Sequence, residues 1–183
     1  MTNTNRAGPG DAVRDASAAL PPGCREGFGR LVRLIKARAN KFQILIIDCR
    51  DERLRYRLVD TLYEVLEVAG VHSVQLELTS STPDFSALEF GLIELARANA
   101  VIHIVGGSSW FDAARWDSFN IRRDAIAHQV KASLVFWLDP ESIADLARIA
   151  IDLWAWRGAV VTFGPGLGIE VNRDVLTRFR AED

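Results

Sequence analysis

A chain of 183 residues, half of them apolar, is long enough to bury a core and short enough to be one domain. Its charges nearly cancel, leaving a net charge of -2, so no global field exists of the kind that gathers nucleic acid. Two cysteines, Cys24 and Cys49, are too few for a disulfide framework or a thiolate metal site, and they point to a reducing cytoplasm. The first 22 residues, rich in Ala, Gly, Pro and polar residues, lack the apolar stretch of a signal peptide and read as a disordered lead-in. No apolar run approaches the ~18 residues that a membrane-spanning helix needs.

From residue 24 to 41, Phe28, Leu31, Val32 and Ile35 share one helical face, while the opposite face is basic. Arg25, Arg30, Arg33, Lys36, Arg38 and Lys41 stand there against one acid, Glu26. Such a face suits an anionic surface, and it equally suits solvent. Five short β-rich runs follow, at 42–48, 72–78, 101–107, 133–138 and 159–163, each bounded by turn residues. Between them, Leu54, Leu58, Leu62 and Leu66 mark one helix, Phe85, Leu88, Leu92 and Leu95 a second, and Ile143, Leu146, Ala147, Ala150 and Trp154 a third. Strands alternating with helices dictate an α/β three-layer sandwich around a five-stranded parallel sheet, with ligands expected at the strands' C-terminal ends. Residues 23–164 form this domain, and 165–183 are expected to add a turn and a short helix.

The first strand runs into a helix through "CRDERLRY". A phosphate loop needs glycines, so that backbone N–H groups converge on the anion, and a Lys followed by Ser or Thr. Here no glycine lies between Gly29 and Gly70 and no lysine between Lys41 and Lys131, so the Walker A pattern is missing. The third strand, "VIHIVGG", ends without an acid for a metal. No dinucleotide fingerprint follows the first strand, and "GGSSW" is no hydrolase elbow. His72, His103 and His128 share no metal-ligand spacing. These residues therefore imply neither cofactor nor metal.

Three constellations remain. Arg50, Arg53, Arg55 and Arg57 lie at a helix start with Asp51 placed to cap it: either a remnant anion site or a capped, solvated first turn. Cys49 with His103 would make a nucleophile and base if both lay at strand ends, against the plainer reading of Cys49 as a small buried hydrophobe. Trp110, Phe111 and Trp116 bracket the loop after the third strand, as a stacking surface or a packing plug.

Residues 119–163, "FNIRRDAIAHQVKASLVFWLDPESIADLARIAIDLWAWRGAVVTF", carry the most specific text. Asn120, Arg123, Asp124, Trp137, Leu146, Ala147, Ala150, Asp152, Leu153, Trp154, Trp156 and Arg157 resemble a pattern of bacterial STAND-type P-loop ATPases. "IIDCRDERLRYRLVDTL" looks like the junction of that family's inactive branch, whose Walker motifs are degenerate. The chain departs from the pattern where the proline after Trp-Leu is displaced, as "WLDPES", and where Ala150-Ile151 replaces Ala-Pro. The resemblance spans about residues 24 to 164. It implies a P-loop NTPase-like sheet of order 5-1-4-3-2 and a non-catalytic protein-interaction or switch module in bacterial defence signalling. A protein partner, fused effector or repeat domains, or a second copy of the chain would then be the partner. Asn120, Arg123, Trp154, Trp156 and Arg157 become the interaction candidates. The alternatives are a nucleotide or anion sensor that binds without turnover through Arg50, Arg53 and Arg55, and an enzyme using Cys49.

Overall fold

The computed structural model describes residues 15–164. After a helical turn at 15–18 and a 3-10 turn at Pro22–Cys24, the order is α1 (Arg25–Ala37), β1 (Gln43–Cys49), α2 (Glu52–Val68), β2 (Ser73–Glu77), α3 (Phe85–Leu95) and β3 (Val101–Val105). Then come α4 (Gly107–Trp110), α5 (Ala113–Gln129), β4 (Ser133–Leu138), α6 (Pro140–Ile149), α7 (Ile151–Ala155) and β5 (Arg157–Phe163). All five strands are parallel, in the order β2-β3-β4-β1-β5, which from the β5 edge reads 5-1-4-3-2.

Burial follows position in the sheet. β3 and β4 are buried at every residue and β1 at all but Asp48, because helices cover both faces of a parallel sheet. The edge strands β2 and β5 are only partly covered. On one face, Phe28, Leu31 and Ile35 of α1 and Leu58, Leu62 and Leu66 of α2 pack in one cluster with Leu45, Ile47, Val135 and Trp137. On the other, Leu88 and Leu92 of α3, Phe119 and Ile126 of α5, and Leu146 and Leu153 share a cluster with Ile44, Ile46, Ile104 and Phe136. Register between β1 and β4 is fixed at its start by Gln43, whose side-chain amide donates to Ser133 Oγ at 2.7 Å and to the Leu34 carbonyl at 3.3 Å. Such a satisfied buried polar pair tolerates no slip.

Two expectations change. The lead-in is ordered over its last residues: Leu20 is buried in the α1/α2 core, Ala16 packs against it, and the Arg25 and Arg57 guanidiniums donate to the carbonyls of Leu20 and Ala19. Alternating small residues hid one well-placed leucine. The disorder expected of residues 1–14 and the turn and helix expected over 165–183 lie outside the described residues. The helix of Ile143 to Trp154 is two helices, because Ala150 leaves the helical region at ψ 62 and the chain turns into α7.

Candidate functional site

Of the helices that begin at the C-terminal edge of the sheet, four, α2, α3, α5 and α6, are each preceded by an aspartate in extended backbone. Asp51, Asp84, Asp112 and Asp139 accept from the backbone N–H of Leu54, Ala87, Arg115 and Ser142, at 3.1, 2.9, 2.8 and 2.8 Å. A helix N-terminus attracts an anion because its first N–H groups lack partners and its dipole is positive there. At each of these ends the chain supplies its own carboxylate. Only Asp51 among the four was singled out in the sequence. The signal for the others, an Asp directly before each helical pattern and Pro140 at the first helical position of α6, was there to be read.

At the β1–α2 junction the arginines diverge. The Arg50 guanidinium reaches α6 and pairs with Glu141 at 2.6 Å, both side chains exposed. Arg55 pairs with Glu52 at 3.0 Å, its side chain mostly covered and its Nε buried without a partner. Arg53 is exposed, and Arg57 donates to the Ala19 carbonyl at 2.8 Å. Arg53 and Arg55 are two helical positions apart and so point about 200° away from each other. The three candidate anion ligands, Arg50, Arg53 and Arg55, form no common cradle.

Acids gather nearby. Burial raises the carboxyl pKa of half-buried Asp48 at the end of β1; a Thr162 hydrogen bond and Arg50 oppose this, while Asp139 and Glu141 add to it. Burial also pushes Asp139 upward, but hydrogen bonds from the Ser142 backbone and from the Ser142 and Ser108 side chains outweigh it, with Arg50, and the net shift is downward. Among the described residues no three His, Cys, Asp or Glu side chains are placed to hold a metal ion.

The end of β3 closes differently. Gly106 has φ 75, and a Cβ there would stand 2.3 Å from the Leu78 carbonyl oxygen. Only glycine permits the backbones leaving β2 and β3 to touch in this way. Beyond it, Trp110 and Trp116 are buried, and Phe111 stacks on Trp116 at 3.7 Å and 8°. The Trp110 indole N–H donates to the Thr82 carbonyl, and the Arg115 guanidinium covers its ring at 4.4 Å. The aromatic loop is a plug.

Cys49 and His103 are not brought together. Cys49 is buried, its Sγ donates to the Asp51 carbonyl at 3.4 Å, and burial pushes its thiol pKa to about 11. His103 lies mid-strand, level with Val135 and Leu45, two strands from β1. Cys49 is four residues further along, so the pair is separated by about 13 Å along the strands and about 10 Å across them. Burial holds the imidazole neutral, with a pKa of about 4. Trp137 Nε1 donates to His103 Nδ1 at 3.4 Å, the Tyr63 ring lies 5.4 Å away, and His103 Nε2 has no partner. Sequence spacing could not announce this cluster, which is made by three elements far apart in the chain.

At the opposite edge of the sheet, where the strands begin, Asn120, Arg123, Trp154, Trp156 and Arg157 do converge. Asn120 Oδ1 accepts from the Leu153 N–H at 2.9 Å, capping α7 from a neighbouring helix. Arg123 donates to the Asn120 carbonyl at 2.6 Å, lies 3.4 Å from Asp152 and stands 5.7 Å from the Trp156 ring. Arg157 covers the Trp154 ring at 3.8 Å and donates to that residue's carbonyl at 2.6 Å. Trp156, with Phe42 against its ring edge, remains 42% exposed, and Ile151 on α7 is 64% exposed.

With this geometry in view, two solved structures are similar to the chain. Rhizobiales Trip13 superposes with a TM-score of 0.55 at 14% identity, over 84% of this chain and 65% of that one. The Drosophila ORC structure bound to AT-rich DNA and Cdc6 gives 0.50 at 9% identity, over 91% and 35%. Both belong to the AAA+ P-loop ATPases, and the likeness establishes a P-loop NTPase-like α/β fold. The chain spans less than two thirds of the length of either. No protein-family model matches the sequence, and no curated protein does. No helix of the described residues is long and apolar enough to cross a membrane.

Proposed function

We propose that the domain is a non-catalytic relative of the P-loop NTPases, an inactive STAND-like module that works by binding another protein or by switching between partners. The observation that carries this reading is the occupation of the α2 N-terminus by the Asp51 carboxylate, at the place where a phosphate loop would present free N–H groups. The diversion of Arg50 to Glu141 and the all-backbone closure at Gly106 support it, since each takes the place of a group that would meet phosphate or metal. The resemblance of residues 119–163 to the STAND pattern is what supports a place in bacterial defence signalling within this proposal. The exposed Trp156, held by Arg123 and Phe42 beside Ile151, is the surface offered to a protein partner, as Trp and Arg are enriched in binding hot spots.

Calorimetry with ATP, ADP and GTP, with and without magnesium, followed by a phosphate-release assay, tests the reading. The expected result is neither binding heat nor turnover. Turnover that disappears in Arg50→Ala would overturn it, and binding without turnover would replace it by the sensor reading. Recovery of a protein partner that is unchanged in Trp156→Ala would remove the Trp156 surface from the proposal.

A further inference from the structure

The helices α1 and α2 lie side by side on one face of the sheet, and the basic outer surface of α1 runs beside an acidic outer surface on the second half of α2. Along α1, Arg30, Arg33 and Lys36 follow at three-residue steps. Along the second half of α2, Asp60, Glu64 and Glu67 follow at steps of four and three. Each set is a stripe on one helical face. Arg33, Lys36, Asp60, Glu64 and Glu67 are exposed and Arg30 is half-exposed. Among the described residues none of the three bases forms an ion pair, and of the acids only Glu67 has a basic side chain beside it, His72 at 3.8 Å. The two stripes are adjacent in the fold and yet do not neutralise each other; both face outward.

Their levels match. Gly27 near the start of α1 sits against Phe163 at the end of β5, and α2 follows directly from the end of β1, so both helices run from the C-terminal edge of the sheet to the other. α1 ends at Ala37 before a strand that begins at Gln43, and α2 ends at Val68 before one that begins at Ser73. Counted back from those ends, Lys36 stands level with Glu67, Arg33 with Glu64 and Arg30 with Asp60, over about 9–10 Å of helix in each case.

We infer that this face binds a second copy of the same chain. A two-fold axis lying in the interface, parallel to the helices and between them, sets α1 of each protomer on α2 of its partner without changing levels. Every base then meets an acid, in two symmetric sets of three pairs, which is the self-complementarity that an isologous interface requires. An acidic stripe beside the basic one also argues against an extended polyanion, which the acids would repel. The contact is polar, with Tyr56 and Val68 as the large exposed apolar residues on α2, so it makes a weak and salt-sensitive dimer rather than an obligate one. It leaves the C-terminal edge of the sheet free and does not depend on whether that edge binds nucleotide.

Sedimentation velocity of the full chain tests this. The expected result is a monomer–dimer equilibrium at ~50 mM salt that weakens at least tenfold by ~0.5 M, as ion pairs are screened. Arg33→Glu with Lys36→Glu, and separately Glu64→Lys with Glu67→Lys, should each give a monomer, because like charges then oppose. Mixing these two variants should restore a heterodimer, since one is then acidic on both helices and the other basic on both. All four substitutions are at exposed positions that make no core contact, so circular dichroism should be unchanged. A monomer at every salt concentration, a dimer indifferent to either pair of substitutions, or a mixture that stays monomeric would each overturn the inference. Retention of the wild type on heparin that only the α1 substitutions remove, without dimer formation, would identify an anionic polymer as the partner instead.

Discussion

His103 offers the sharpest test of the packing under α2. Its imidazole is fully buried between Trp137 and Tyr63, with a pKa of about 4 in the folded chain against an ordinary 6.5. The unfolded chain therefore takes up this proton at higher pH than the folded one. Stability is unaffected by the group above pH 6.5, declines as pH falls from 6.5 towards 4, and below 4 is lower by the whole difference. That difference is about 3 kcal/mol at 1.36 kcal/mol per pKa unit, and about 2 kcal/mol of it is already felt at pH 5. For a domain of this size 2 kcal/mol lowers the melting temperature by about 4–8 °C. The comparison is His103→Gln, which does not titrate and can still accept from the Trp137 indole N–H. Urea unfolding of both proteins from pH 7.5 to 4.5 gives two stability curves. Other titrating groups, Asp48 and Asp139 among them, are common to both and cancel in the difference. The wild type should lose about 2 kcal/mol more than the variant between pH 7 and 5. Parallel curves, or an imidazole that titrates near 6.5 by NMR, would refute the dry, neutral placement of His103.

Removing the Asp51 carboxylate with Asp51→Ala should cost about 1 kcal/mol in urea unfolding and bring no binding of ADP, because Arg50, Arg53 and Arg55 form no common cradle beside the freed N–H. Gly106→Ala should cost more than the ~1–2 kcal/mol of a left-handed alanine, since its Cβ would also press on the Leu78 carbonyl; a loss below 1 kcal/mol would mean that β2 and β3 part easily. Cys49, with a thiol pKa of about 11 and a buried Sγ, should resist iodoacetamide at pH 8 in the native chain and react in denaturant, as mass spectrometry of the tryptic peptide would show. Rapid native labelling of Cys49 would reopen the nucleophile.

The sheet was legible because its information is local. β3 and β4 are apolar but for His103 and Ser133, and such runs between helical patterns leave a parallel arrangement as the simple solution. Leu20 was not legible, since its burial depends on Arg57 and Arg25 reaching back to hold the backbone of residues 18–20, a contact that no period encodes. The break at Ala150 was hidden for a related reason: the apolar pattern continues through it, and the acceptor that stabilises the new helix, Asn120 Oδ1, comes from 33 residues earlier. At the strand ends the sequence showed what was missing, and the geometry shows what replaced it.

That replacement bears on how the scaffold is held. A loop that wraps phosphate leaves N–H groups without intramolecular partners and relies on ligand to satisfy them, so the unliganded state is strained or wet at that edge. Here aspartates satisfy the helix ends, Asp139 doubling as an acceptor for the Ser142 N–H while its own N–H donates to Ser108 Oγ. Arg50 and Glu141 tie the β1–α2 junction to α6, and Gly106 seals β3 against Leu78. On the proposed reading this edge is closed by the chain's own groups, and a signal that acts through the domain enters elsewhere. Two exposed surfaces lie away from it, the Trp156–Ile151 patch where the strands begin and the charged outer faces of α1 and α2. Neither requires nucleotide to be formed, so partner binding at these surfaces should proceed equally with and without ATP and magnesium; a dependence on either would show that the closed edge still communicates with them.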